Sequence, residues 1–252
     1  MAGHSHWARI RHKKGATDAK RGKLFSKLAR NVMTAARLGG GDPSMNLKLQ
    51  YAIEAAKAAN MTKDTIERAV KKGTGEIAGE SYEPVTYEGY GPGGAALMIE
   101  ALTDNRNRTA AQIRKTFEVK GGNLGRSGTV AWMFEVKGVI LVDASQADEE
   151  TVMDLVIEAG AEDMESDDGT FAITCPPQDF ENVRKALEDN EIPIESAEIS
   201  KVPQNYIDIE AENARRVIRL MQDLEDNDDV QNIYSNFNIP DEVLAEIDAE
   251  SQ

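Results

Sequence analysis

Three stretches with a helical repeat of apolar residues follow the first 16 residues of this chain, which show no such periodicity. In residues 17–38 the apolar side chains fall on one side of a helix and the basic ones on the other, and three glycines at 39–41 would end it. A second stripe runs through residues 49–59. A third begins after Thr62, whose hydroxyl suits a helix cap, and ends at Gly73. Facing apolar stripes of this length predict a three-helix bundle.

From residue 82 onward, short apolar runs of strand length alternate with further helical stripes. The predicted order is strand 84–87, strand 95–101, helix 109–119, strand 129–135, strand 138–142, helix 148–158, strand 161–166, strand 170–175, helix 178–190, strand 196–202, helix 210–224 and strand 230–235. Thr109 and Gln112 have the spacing of a capping box, which predicts the start of helix 109–119. The stretch 136–203 reads β-α-β-β-α-β, the split βαβ arrangement.

These elements predict an α+β, multidomain protein. A basic arm and a three-helix bundle would occupy residues 1–75, and a middle α/β domain would combine residues 76–135 with 204–252. A ferredoxin-like α/β domain at 136–203 would be inserted into the middle one. At 252 residues the chain is long enough for such a division.

Charge is distributed very unevenly along the chain. Residues 1–72 contain 16 basic and 5 acidic side chains, whereas the remaining 180 residues contain 13 basic and 39 acidic ones, within a total net charge of −15. A basic end on an acidic protein is typical of a surface that faces a polyanion. The acid runs at 148–150, 162–168 and 223–229 have no calcium-loop or glycosidase spacing, and we expect them to be solvated surface.

The basic end supplies the candidate nucleic-acid-binding residues. Lysine and arginine bind phosphates largely without regard to sequence, and a tryptophan and histidines interleaved with them could stack on exposed bases. The alternative is a solvated helix face, with the tryptophan packed into the bundle. The candidates are His4, His6, Trp7, Arg9, Arg11, His12, Lys13, Lys14, Lys20, Arg21, Lys23, Lys27 and Arg30.

Arg106 and Arg108 form a second candidate site, because they lie where a predicted strand ends and a helix begins. Two guanidinium groups and free helix amides could converge there on a phosphate. The alternative is a capped helix start whose arginines pair with local acids. The sequence leaves both open.

Other patterns argue against further chemistry. The three histidines have too few companion ligands for zinc, and the glycines at 89–94 precede a strand, so we expect a turn instead of a dinucleotide site. Cys175, the single cysteine, has no nearby base and is expected to be packed and unreactive. We therefore expect no enzyme, metal, cofactor or small-molecule substrate. A lone cysteine and no 18-residue apolar run favour a cytoplasmic protein without membrane contact.

Several blocks closely resemble the YebC family: MAGHSHWARIRHKKGATDAKRGKLFSKL, YEGYGPGGAALMIE, GGNLGRSGTVAWMF and DLEDNDDVQNIYSNF. The resemblance covers essentially the whole chain. It implies a helical bundle and two α/β domains, the third inserted into the second, and no enzymatic activity. Bacterial members are commonly described as DNA-binding transcriptional regulators. Others are linked to translation, including a mitochondrial translational activator and relatives that relieve stalled ribosomes.

We therefore expect a non-enzymatic regulator of gene expression that binds nucleic acid. The first hypothesis is a translation factor that binds ribosomal RNA or tRNA on the ribosome through the basic N-terminal region and eases stalled translation. A protein partner could contact its acidic C-terminal domains. The alternative is a DNA-binding transcriptional regulator that uses the same basic face. The glycine-rich connection at 39–44 counts against it, because a helix-turn-helix has a short turn.

Overall fold

The computed structural model describes residues 18–167, 169–240, 242–243 and 245–246, with the backbone alone for residues 18–21 and 167. Its described residues divide into two compact units. The first, which we call the N-terminal unit, joins residues up to 129 with residues 215–233. The second, the C-terminal unit, joins residues 130–214 with those from 234 onward.

The three predicted helices of the bundle are present: α1 (Asp18–Gly39), α2 (Leu47–Ala58) and α3 (Lys63–Thr74). Their apolar stripes meet in a core that includes the fully buried Val32 and Leu49. Thr62 caps α3 as predicted, because its hydroxyl accepts a hydrogen bond from the Thr65 amide. Asn46 caps α2 and also donates to the carbonyl of Ala35, which ties α2 to α1.

Close approach of α3 to α1 depends on a glycine. A Cβ atom at Gly73 would lie 2.3 Å from the Met33 carbonyl oxygen and 2.8 Å from the Ala36 Cβ. Only a residue without a side chain fits there at the observed helix spacing. The helix then ends at Gly75, whose φ of +82° is the left-handed conformation that glycine adopts without strain.

The same unit contains a four-stranded sheet of order β3-β1-β2-β9. The other elements of the unit are β1 (Glu83–Tyr90), β2 (Ala96–Thr103), α4 (Arg106–Val119), β3 (Asn123–Leu124) and the greater part of α7 (Ala211–Glu225) and of β9 (Val230–Ser235). Buried residues of β2, α4 and α7, such as Ile99, Phe117 and Leu220, form its core. The glycine-rich stretch is a tight 3-10 turn, Pro92–Gly94, between β1 and β2. The prediction of a turn is therefore confirmed.

The C-terminal unit contains the split βαβ arrangement. Its elements are β4 (Phe134–Asp143), α5 (Glu149–Glu158), β5 (Asp163–Asp167), β6 (Thr170–Cys175), α6 (Phe180–Asp189) and β7 (Ile194–Pro203). The strand order β5-β6-β4-β7, antiparallel throughout, is the ferredoxin-like order and confirms the predicted fold class. Short strands β8 (Ile207–Asp208) and β10 (Phe237–Asn238) form a separate parallel pair.

Two local predictions were wrong. Residues 129–135 do not form one strand, because a 3-10 turn at Ala131–Met133 precedes β4. Helix α4 begins three residues before Thr109, and its cap is Asn105, whose side chain accepts from the Arg108 amide. The predicted capping box failed because the Thr109 hydroxyl is buried and bonds Thr103 and Asp229 instead. The domain limits given above stay a prediction.

Candidate nucleic-acid interface

The predicted basic surface is only partly described by the structure. His4, His6, Trp7, Arg9, Arg11, His12, Lys13 and Lys14 lie outside the described residues. Lys20 and Arg21 belong to the first turn of α1, but only their backbone is described. The described side chains of the predicted set are those of Lys23, Lys27, Arg30, Arg106 and Arg108.

The outer face of α1 contacts an acidic loop, residues 225–229 (EDNDD). Lys23 Nζ lies 3.1 Å from the Asp226 carboxylate, and Lys27 Nζ donates to the Glu225 carbonyl at 2.8 Å. Arg30 donates to the Asp228 carbonyl. Three basic residues of α1, at positions i, i+4 and i+7, therefore bind one loop of the same chain.

Asp229 is the centre of this contact. Its side chain is 5% exposed and lies 3.1 Å from Arg30 Nη1. The other carboxylate oxygen accepts from Thr109 at 2.6 Å, Arg108 at 2.7 Å and Thr103 at 3.2 Å. The expectation that the whole run 223–229 is solvated was thus wrong for this residue, because α1, β2 and α4 all supply donors to it.

The Asp229 pKa reflects two opposing effects. Burial of the carboxyl acts to raise its pKa, because a low-dielectric surrounding disfavours the charged form. Hydrogen bonds from Thr109, Arg108 and Thr103, together with the charge of Arg108, outweigh burial and lower the pKa below its ordinary value. Asp229 is therefore held as a carboxylate.

The start of α4 is a capped helix end whose arginines, Arg106 and Arg108, pair with nearby acidic side chains. Arg108 pairs with Asp104 and Asp229, each at 2.7 Å, so the guanidinium already has two carboxylate partners. Arg106 is 63% exposed and only loosely paired, with 3.8 Å to Glu83. The helix start is capped by Asn105. The two arginines lie at one helix end without converging on an open site, and their binding of nucleic acid stays a prediction.

Other cations of the bundle are exposed and lack an acidic partner among the described residues. They lie at the end of α1 and along α2 and α3. None of them was among the binding residues predicted from the sequence, although their alternation with apolar positions along three amphipathic helices was a usable signal. They are Arg37, Lys48, Lys57, Arg68, Lys71 and Lys72.

Other candidate chemistry is limited in the described part of the chain. No group of three or more histidine, cysteine, aspartate or glutamate side chains there could hold a metal ion. Cys175 is fully buried, and burial raises the pKa of its thiol to about 11, with the charges of Asp179 and Glu162 acting in the same direction. None of the described helices is long and apolar enough to cross a membrane.

Comparison with known proteins gives the family. The sequence-family model described as the TACO1/YebC protein N-terminal domain matches residues 5–76. The family model described as the TACO1/YebC second and third domain matches residues 82–237. A "Probable transcriptional regulatory protein" of Natranaerobius thermophilus is 53% identical, over 97% of this chain and 99% of the relative. One of Halothermothrix orenii, of the same description, is also 53% identical, over 99% and 100%. A crystal structure of a conserved hypothetical protein from Aquifex aeolicus has a TM-score of 0.83 and 49% identity, over 93% of this chain and 97% of that one. The chain therefore belongs to the TACO1/YebC family.

Proposed function

We propose that this chain is a non-enzymatic, nucleic-acid-binding regulator of gene expression that acts through its basic N-terminal region. The observation that carries the proposal is the charge separation: 16 basic against 5 acidic side chains in residues 1–72, and 13 against 39 in the rest. Phosphate backbones attract the first part and are repelled by the second. The relatives' description as probable transcriptional regulatory proteins supports a regulatory role.

The preferred target is structured RNA on the ribosome, where binding would ease stalled translation. Because Lys23, Lys27 and Arg30 already bind the acidic loop, the phosphate contacts fall mainly to the arm before α1 and to unpaired cations of the bundle. The arm also carries Trp7 and three histidines, which suit stacking on the unpaired bases that RNA exposes.

One observation favours DNA as the second candidate. Four residues, 59–62, connect α2 to α3, and Asn60 among them has a φ of +62°. A turn of three or four residues with a left-handed position is typical of a helix-turn-helix, in which the second helix enters the major groove. That helix would be α3, which carries exposed Arg68 and Lys71. The longer, glycine-rich connection at 39–44, which counts against DNA, lies between α1 and α2 instead.

Two variants separate these two hypotheses. The arm variant is Arg9→Glu/Arg11→Glu/Lys13→Glu/Lys14→Glu, and the α3 variant is Arg68→Glu/Lys71→Glu. Each is compared with wild type for co-sedimentation with translating ribosomes and for binding to labelled genomic DNA fragments across a salt series. The RNA proposal predicts salt-sensitive ribosome binding that the arm variant abolishes.

The other outcomes decide against that proposal. Suppose that the protein does not bind ribosomes, binds DNA with sequence preference, and loses that preference in the α3 variant. The chain is then a DNA-binding regulator. If neither nucleic acid binds above the level of an unrelated acidic protein, both readings are wrong. Circular dichroism of each variant confirms that lost binding does not come from lost helix.

A further inference from the structure

A cavity of about 650 Å³ lies at the C-terminal end of α1, within the N-terminal unit. We call it the linker cavity, because the segment 75–82 that follows α3 forms much of its wall. Helix α1 supplies Thr34 and Arg37, α3 supplies Lys72, and Glu80 and Tyr82 lie on the linker side. None of these residues belongs to the candidate set predicted from the sequence.

Two exposed cations line this cavity without an acidic partner among the described residues. Arg37 comes from the last turn of α1 and Lys72 from the last turn of α3. The one carboxylate of the lining, Glu80, accepts a hydrogen bond from the Tyr82 hydroxyl. The Cζ atom of Arg30 in turn lies over the Tyr82 ring, 4.8 Å from the centroid of that ring. The lining therefore offers a net positive charge.

Uncharged donors also line the cavity. Thr34 is 8% exposed, and its Oγ1 has no hydrogen-bond partner among the described residues. A buried hydroxyl left unpaired is destabilising, so an acceptor placed in the cavity would gain from it. The linker amides of residues 78–81 likewise make no hydrogen bond within the described structure. Consecutive free amides beside a guanidinium and an ammonium are donors that a phosphate oxygen can use.

We infer that the linker cavity is a phosphate-binding site formed by Arg37, Lys72, the Thr34 hydroxyl and the amides of residues 78–81. Its ligand is a phosphate group, carried either by a nucleic-acid backbone or by a free nucleotide. The planar guanidinium suits two oxygens of one phosphate, while the lysine supplies a point charge. The site does not depend on the proposed function, because a free nucleotide would occupy it even if the arm binds no RNA.

The test uses the full chain, labelled with ¹⁵N and observed by NMR at constant ionic strength. Inorganic phosphate, AMP and a six-nucleotide RNA are titrated separately, and the amide shifts of residues 75–81 are followed. The site variant is Arg37→Gln/Lys72→Gln. Its control, Lys48→Gln/Lys57→Gln, removes the same charge from exposed lysines of α2. These have no acidic partner in the described part of the chain and do not line the cavity.

The expected result is a saturable shift of the amides of residues 75–81. The site variant should weaken the affinity obtained from that shift by about tenfold or more, and the control should leave the affinity within about twofold. Shifts with phosphate or AMP would identify a free phosphate compound as the ligand. Shifts with the RNA alone would identify a backbone phosphate.

Two results would overturn the site, and a third variant tests one of its groups. No shift at residues 75–81 with any of the probes would exclude it. If the site variant and its control weaken phosphate binding equally, the binding is general electrostatic attraction and not a site. In Thr34→Val, which keeps the shape of the side chain and removes the hydroxyl, we expect binding several-fold weaker. Unchanged affinity there would remove the hydroxyl from the site.

Discussion

Arg30 of the first helix and Asp229 of the acidic loop are joined by an ion pair of 3.1 Å, although 199 residues separate them in the chain. Their side chains are only 17% and 5% exposed. The same carboxylate also accepts from Arg108, Thr103 and Thr109. One buried aspartate thus joins the helical bundle to the sheet of the N-terminal unit.

Replacing that aspartate should destabilise the protein strongly. In Asp229→Ala, Arg30 and Arg108 lose a shared carboxylate, and the hydroxyls of Thr103 and Thr109 lose a buried acceptor. We expect the free energy of unfolding to fall by about 2–4 kcal/mol, less than for a fully buried pair because the arginines reach solvent. Urea unfolding at pH 7 measures this. The neighbouring Asp228→Ala, at an exposed position, should change stability by less than about 0.5 kcal/mol, and equal losses in the two variants would contradict the assignment.

The Asp229 interaction should also make stability depend on pH. Because hydrogen bonds and the Arg108 charge outweigh burial, its folded-state pKa lies below the ordinary value. Its contribution is therefore fully present above the unfolded pKa of about 3.9, and it is lost as the pH falls through the folded value. Urea unfolding of wild type and Asp229→Asn at pH 7, 5, 4 and 3 should show a constant difference down to about pH 5. A difference that does not shrink below pH 4 would mean that another group dominates.

Local patterns predicted most of the fold. Strands 170–175 and 230–235 lie where they were predicted, since β-branched and aromatic side chains, such as Phe171 in the first and Tyr234 in the second, recur in each between turn residues. Thr62 predicted the start of α3 because capping is a local interaction. Errors arose where tertiary contacts override local preference. Thr109 is such a case, because its hydroxyl bonds a residue 120 positions away.

The candidate site was less predictable for the same reason. The sequence shows Lys23, Lys27 and Arg30 on the polar face of a helix and an acid run near residue 225, but nothing in either stretch indicates that they meet. The basic helix face and the acid run were therefore each predicted to face solvent or a binding partner. Pairing across about 200 residues is a property of the folded chain, and it divides the basic residues into those held by the acidic loop and those left unpaired.

Gly73, at the point where α3 contacts α1, offers a direct test of packing. In Gly73→Ala, the added methyl would lie 2.3 Å from the Met33 carbonyl oxygen, so the helices must separate. We expect a loss of about 1–3 kcal/mol in the free energy of unfolding, the usual effect of overpacking. Gly22→Ala in α1 is the matched control. A Cβ there meets nothing within 4 Å, and alanine should stabilise that helix by up to about 1 kcal/mol. Destabilisation by both substitutions would contradict this account.

Cys175 should be unreactive in the folded protein. Burial raises the pKa of its thiol to about 11, so almost no thiolate exists at pH 8, and the side chain is also inaccessible. Iodoacetamide should therefore label native protein at least about a hundredfold more slowly than protein in 8 M urea, as followed by intact mass. Because this is the single cysteine of the chain, Cys175→Ala provides a blank for both states. Native labelling at the unfolded rate would show that the strand opens readily.

The division of the basic residues predicts which of them contact nucleic acid. Lys27 is half-buried and donates to the Glu225 carbonyl, so Lys27→Met should leave RNA affinity within about threefold and the salt dependence unchanged. Lys20 belongs to the predicted binding set, and Lys20→Met should weaken binding and reduce the slope of log K against log salt by about 1. Fluorescence anisotropy with a labelled RNA hairpin at 50–200 mM salt measures both. If Lys27→Met lowers the slope as much as Lys20→Met, the acidic loop must release α1 on binding, and the contact with α1 described above belongs to the free protein alone.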